Sequence, residues 1–276
     1  MDSTAPAIRV AAVQMVSTAR VEDNLREAQQ RIAEAARLGA SVVVLPEYFC
    51  LMGMRERDKV ALRENLGSGP IQDFLSDQAA QHGLWLIGGT MPLACDQADR
   101  VFNSVLVFDP QGRRAARYDK IHLFSFADGA ESYDESRTIA PGTEPVAFDC
   151  TVGASSLRVG LSVCYDLRFP ELYRRLLGAD LIVVPAAFTA TTGKAHWETL
   201  LRARAIENLC YVLAAAQGGR HENGRVTHGH SMFIDPWGEI ISERANDAGV
   251  IAGDVDPQRI AACRARLPAL THRALG

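Results

Sequence analysis

Cys164 stands where the apolar run "LRVGLSVC" (157–164) stops and the charged run "YDLRFPELYRRLLGA" begins. Such a thiol is either one more buried cysteine or a nucleophile held at a strand end. A helix starting there, with Leu172, Leu176 and Leu177 inward and Gly178 near its stop, would favour the thiolate through its dipole and its free N–H groups. The same N–H groups, that of Tyr165 nearest, would hold a developing oxyanion. Glu47 directly follows the apolar run "VVVLP". A carboxylate in that place is either partly desolvated and suited to general-base work, or turned out to solvent in a loop. Lys120 lies in "ARYDKIHLF" among Ile121, Leu123 and Phe124. It reads as an ordinary outward strand residue or, near a thiolate and carboxylates, as a clamp on oxyanion charge. Arg168, on the turn after Cys164, can take a carboxylate in bidentate fashion or pair with Glu171 at the surface.

Histidines offer a weaker alternative. In "HGH", His228 and His230 fall on one face of a strand, but no third ligand at suitable spacing accompanies them, so no metal is expected. A Cys–His dyad with His122 or His196 has no local signature. His196 and Glu198 open a helix whose Leu200, Leu201 and Ile206 read as packing.

The elements that must carry these residues follow βαβ grammar. "IRVAAVQM" (8–15) is a strand candidate. A helix follows, with Leu25, Ala28, Ile32 and Ala36 on one face and Gly39 as its stop. "SVVVLPEYF" (41–49) is a β-branched run of the kind that suits a strand covered on both faces. The second half repeats the pattern in the same order. "LRVGLSVC" echoes "IRVAAVQM", "GADLIVVPAAF" (178–188) echoes "GASVVVLPEYF" (39–49) without a gap, and "CYVLAAA" resembles "LWLIGGT". "FIDPWG" and "VFDPQG" share an Asp-Pro-x-Gly turn. An internal repeat of this kind predicts two mixed sheets with helices outside, an α/β four-layer α-β-β-α sandwich forming one domain over residues 1–276. It also sets Glu47 opposite Ala186 and Cys164 opposite Met15. Each half thus contributes a different polar group at a strand end, where ligands gather in α/β sheets.

Composition narrows the setting. The chain has 276 residues, 47% hydrophobic and 22% charged, enough to bury a large core. A formal net charge of −4 without a Lys/Arg block argues against nucleic acid. No apolar run approaches the roughly 20 residues of a membrane span, and no secretory signal is visible. Six scattered cysteines without a CxxC pair suit a reducing cytoplasm.

"LPEYF", "YDKIHLF" and "SVCYDLRFPELYR" resemble the Glu, Lys and Cys motifs of the nitrilase superfamily of carbon–nitrogen hydrolases, in the family's order and within a likeness that spans nearly the whole chain. The resemblance implies the four-layer sandwich, a homodimer and a mechanism without cofactor or metal. It also implies Cys164 as nucleophile, Glu47 as general base, and Lys120 with the Tyr165 N–H as oxyanion donors. A second glutamate of the family matches Glu135, in "YDESRTIAPG", better than Glu131, although the intervening "SFADGAESYD" looks different from the family pattern. Arg168 is implied as the anchor for a 2-oxo acid; Phe188 and Thr192, which follow the second-half strand, are expected to line the pocket. The C-terminal stretch "HWETLLRARAIENLCYVLAAAQGGRHENGRVTHGHSMFIDPWG" resembles the deaminated glutathione amidase branch, the nitrilase-like partners of Fhit. The omega-amidases, which act on 2-oxoglutaramate, are the near alternative, and other amidases or carbamoylases of the family a more distant one. A non-catalytic binding scaffold is the reading outside enzymes, and the presence of Cys164, Glu47 and Lys120 weighs against it.

Overall fold

The computed structural model describes residues 5–129 and 131–274. Its β-branched runs form two mixed sheets. In the first, Ile8–Gln14, Val42–Val44 and Trp85–Ile87 lie parallel, connected by the helices Val21–Arg37 and Pro70–His82. Val101–Phe108 and Met91–Ala94 continue it antiparallel. In the second, Ser155–Leu161, Leu181–Ala186 and Tyr211–Ala216 lie parallel, and Ser231–Ile234 and Ile240–Arg244 follow antiparallel. Among the described residues these two sheets hold eight and six strands respectively.

Alternation along the strands builds the layers. Val10, Ala12, Val42 and Val44 share one core with Val159, Leu161, Val183 and Leu213 of the other sheet. Ala11, Val13, Val43 and Leu45 face the opposite way, onto Ala28, Ile32, Ala35, Ile71 and Leu75 of the two helices. Both faces of the first sheet are therefore dry, which is why its strands read as unbroken apolar runs rather than alternating ones. The sheets approach closely: a Cβ built on Gly253 would lie 2.4 Å from the Phe233 ring across the interface. The architecture is the expected α-β-β-α sandwich.

The repeat extends to the turns. Asp109 Oδ1 accepts from the Gln111 and Arg113 N–H groups, and Asp235 Oδ1 accepts from those of Trp237 and Glu239. Gly112 and Gly238 close these turns at φ +75° and +85°, a region that glycine enters without a Cβ penalty. One strand breaks the tandem order. Ala147–Val152 pairs antiparallel at the edge of the second sheet, but the equivalent edge of the first is filled by Gly249–Val255 from the far end of the chain.

Two local expectations change. The run 41–49 yields a strand of only three residues, Val42–Val44, because the chain turns away after Pro46 and Tyr48 adopts φ +57°. The long helix expected directly after Cys164 is instead a 3-10 turn, Cys164–Arg168, followed by a six-residue α-helix, Pro170–Arg175. Pro170 accounts for the break, since the residue before a proline is pushed out of the helical region and Phe169 is extended. Leu172 and Leu176 are buried, whereas Leu177 is only half-buried.

Candidate active site

Cys164 sits at the end of the second sheet's first parallel strand with φ +47°, a left-handed conformation that costs a non-glycine residue about 1–3 kcal/mol. Its surroundings over-determine that turn. The buried Asp166 carboxylate accepts from the Val163 N–H at 2.9 Å and the Tyr118 hydroxyl at 2.7 Å. It also accepts from the His122 N–H at 3.0 Å and lies 2.7 Å from His122 Nδ1. His122, stacked on Phe169, therefore braces the elbow through Asp166 and forms no dyad with the thiol.

Glu47, just past Pro46 at the end of its strand, is 1% exposed and turned inward. Its Oε1 accepts from Lys120 Nζ at 2.9 Å and Asn103 Nδ2 at 3.0 Å, and its Oε2 from the Ala187 N–H at 2.9 Å. The internal repeat explains the last contact: Glu47 and Ala187 end equivalent strands of the two halves, which the sandwich brings face to face. Lys120 follows the strand Arg114–Asp119 and is fully buried, so the outward-facing alternative does not hold. Its ammonium also touches Glu135, at 3.0 Å from Oε1 and 2.8 Å from Oε2. Glu135 accepts further from the Tyr48 hydroxyl at 2.8 Å and the Phe124 N–H at 2.7 Å. Between Lys120 and Glu135 the segment "SFADGAESYD" forms an antiparallel hairpin, Ser125–Asp128 with Glu131–Asp134. The Glu131 side chain lies outside the described residues.

Burial, and then the Glu47 carboxylate, push the Cys164 thiol well above its ordinary pKa, with Lys120 opposing them. The dipole-stabilised thiolate expected from a helix at Cys164 is thus corrected: a 3-10 turn supplies little dipole, and desolvation dominates. Burial alone would lower Lys120, but Glu135 and Glu47 raise it above its ordinary value. Burial alone would raise Glu135, but Lys120 and its other donors hold it below its ordinary value. Burial thus favours the neutral form of the thiol, while Glu135 and Glu47 favour the charged form of the ammonium that both touch. Such an arrangement can pass the thiol proton to a carboxylate as sulfur attacks, and can meet developing negative charge with the ammonium.

Arg168, Phe188, Thr192 and Tyr165 meet around the thiol in a small pocket of about 10 Å³, room for one water. Arg168 stacks over Phe188 at 5.6 Å and its Nη1 lies 3.3 Å from His196 Nδ1. The surface pair with Glu171 is not formed. Thr192 bonds Thr189, which caps the helix Ala190–Asn208 by accepting from the Thr192 N–H at 3.2 Å. His228 and His230 stack on each other, with His230 against Glu243, and the His228 N–H donates to the Phe188 carbonyl at 2.9 Å. Beyond the small pocket opens a cavity of about 440 Å³, whose walls include Tyr48, Lys59 and Tyr133. Phe124, Glu135 and Arg225 line both spaces.

Asp166, Asn103, Tyr48 and Arg225 escaped the sequence reading. Asp166, two residues past the cysteine, carried a usable signal, since a carboxylate there can cap the turn. Arg225 carried none beyond the turn-forming "ENG" before it.

Comparison with known proteins agrees with this geometry. A family model described as carbon-nitrogen hydrolase matches residues 9–265. A Synechocystis sp. protein named deaminated glutathione amidase is 42% identical over 270 residues, covering 95% of this chain and 97% of that one. A Homo sapiens protein of the same name is 37% identical over 270 residues, covering 96% and 81%. The crystal structure of Saccharomyces cerevisiae Nit3, a member of branch 10 of the nitrilase superfamily, superposes with a TM-score of 0.87 at 29% identity, covering 98% and 97%.

Proposed function

The chain belongs to the carbon–nitrogen hydrolase family, and on that basis we propose that it hydrolyses the amide of deaminated glutathione through a thioester on Cys164. Glu47 takes the thiol proton as sulfur attacks the amide carbon. Lys120 and the Tyr165 N–H hold the oxyanion, each such donor being worth roughly 3–4 kcal/mol in the transition state. Glu47 then passes its proton to the departing amine of cysteinylglycine. A water deprotonated by Glu47 cleaves the thioester and releases 2-oxoglutarate. Glu135 keeps Lys120 charged and in place. Arg168 takes the 2-oxo acid carboxylate, with Phe188 and Thr192 beside it, and no cofactor or metal enters.

The observation that carries this substrate is the cavity of about 440 Å³ beside the thiol pocket, which exceeds what an ammonia leaving group needs. The test is product release from deaminated glutathione and 2-oxoglutaramate in parallel. A kcat/KM at least 10-fold higher on the former is expected. The reverse preference would move the protein to the omega-amidases, and inactivity on both would overturn the amidase reading.

The protein acts as one domain, since the closing strand Gly249–Val255 ties the chain's end to the first sheet. It works as a homodimer in the cytoplasm. The exposed Ile206, Trp237 and Ile241 support the first point, with Ile206 packed against Gly238 beside Trp237. Six unpaired cysteines support the second. Among the described residues no helix is long and apolar enough to cross a membrane. Sedimentation velocity should give twice the chain mass, and Trp237→Glu should shift the species to monomer; a monomeric native protein would refute the dimer.

A further inference from the structure

The amidase reading leaves one charged group without work. Arg225 projects from the hairpin formed by Gly218–Arg220 and Val226–His228. The turn that delivers it is tightly held. Its own N–H donates to Asn223 Oδ1 at 3.0 Å, Asn223 Nδ2 donates to the Gly53 carbonyl at 2.7 Å, and His221 is buried between the Ser17 carbonyl and Thr227. The guanidinium lies over the Tyr133 ring at 5.2 Å, and Nη2 donates to the Ala187 carbonyl at 2.7 Å. Ala187 is the residue whose N–H binds Glu47, so the cation sits one peptide from the general base.

Glu47 acts on this cation through its charge, but among the described residues no carboxylate is paired with it. Arg225 Nε is buried and has no hydrogen-bond partner among the described residues. No carboxylate among them lies within ion-pair distance of it, and the same holds for Arg168. A buried cationic donor left unpaired is costly, and a carboxylate is the group that best relieves it. The two arginines share the thiol pocket, but only Arg225 also faces the large cavity. A substrate carrying a carboxylate on each side of its scissile amide would satisfy both.

Resting on the amidase reading, we propose that Arg225 and the adjoining cavity form a leaving-group subsite that binds the carboxylate of a departing dipeptide amine. Arg168 then reads the acyl half and Arg225 the amine half. Selection of a dianionic amide over a simple 2-oxo acid amide comes from the second contact. Ammonia, which has no carboxylate, gains nothing from it.

The proposal is tested by selectivity and by binding. In Arg225→Met, the ratio of kcat/KM for deaminated glutathione to that for 2-oxoglutaramate should fall about 10- to 150-fold, the range for losing a charge-assisted hydrogen bond. Because each ratio is taken within one preparation, a loss of folded protein cancels. Arg225→Lys, which keeps the charge but not the fork, should fall between. An unchanged ratio in Arg225→Met overturns the subsite. The second measurement does not depend on turnover. Calorimetry should show cysteinylglycine binding the native protein at least 10-fold more tightly than its C-terminal amide, with the difference gone in Arg225→Met. Equal binding of the two by the native protein overturns the proposal even if the amidase reading stands. A retained preference supports it even if the turnover assay rejects deaminated glutathione as substrate.

Discussion

Glu47→Gln is expected to lower kcat/KM about 10³- to 10⁴-fold while making the Cys164 thiol easier to ionise. The loss is set at the upper end of what one general base contributes, because in the proposed mechanism Glu47 serves both thioester formation and its hydrolysis. The opposite effect on the thiol follows from the sign of the charge. Burial and the Glu47 carboxylate together hold the thiol well above its ordinary value. Removing the carboxylate's charge deletes the second cause and leaves the first, so the thiol moves down yet stays above the ordinary range. Alkylation of Cys164 by iodoacetamide, followed by mass spectrometry against pH, measures this directly. The native rate should be low at pH 7 and still rising above pH 9, with the variant's profile displaced to lower pH. Cys164→Ala should abolish both turnover and the modification. A native thiol that alkylates rapidly and independently of pH between 6 and 9 would show a preformed thiolate and remove the need for Glu47 as its base.

Lys120→Met should destabilise the protein by about 3–5 kcal/mol, the usual cost of removing one partner from a buried ionic group. It should also reduce kcat about 10²- to 10³-fold through loss of the proposed oxyanion donor. Two buried carboxylates, Glu47 and Glu135, would then face each other without the ammonium that both now touch. The pH dependence of stability should change sign. In the native protein Glu135 is held below its ordinary value, so its contribution is present above that ordinary value and is lost as pH falls through the folded one. Without Lys120, burial dominates and raises Glu135, so the folded state binds the extra proton and stability falls as pH rises. Urea denaturation at pH 5 and pH 8 separates the cases: the variant should be more stable at pH 5, by contrast with the native protein. Adding Glu135→Gln should recover part of the loss and flatten the slope. A variant with the native slope would mean that Lys120 is not what keeps Glu135 ionised.

Much of this arrangement was legible along the chain because it depends on local pattern. Unbroken β-branched runs announced strands covered on both faces, and the echo between 39–49 and 178–188 announced two equivalent halves. The types of Cys164 and Glu47, each at the end of an apolar run, allowed a nucleophile and a base, and the family resemblance added Lys120 as the charge stabiliser. Their partners were not legible, because hydrogen bonds between residues far apart leave no local trace. Glu47 meets Ala187 across 140 positions, and Gly249–Val255 completes a sheet begun at Ile8. Tertiary structure decided the state of the thiol. The run after Cys164 suggested a helix and an easily formed thiolate, whereas Pro170 delays the helix and burial pushes the thiol up. It also decided the role open to Arg225, an ordinary turn arginine by sequence. Residue type determined which chemistry was available; enclosure, which exists only when distant segments pack, determined which charges that chemistry would start from.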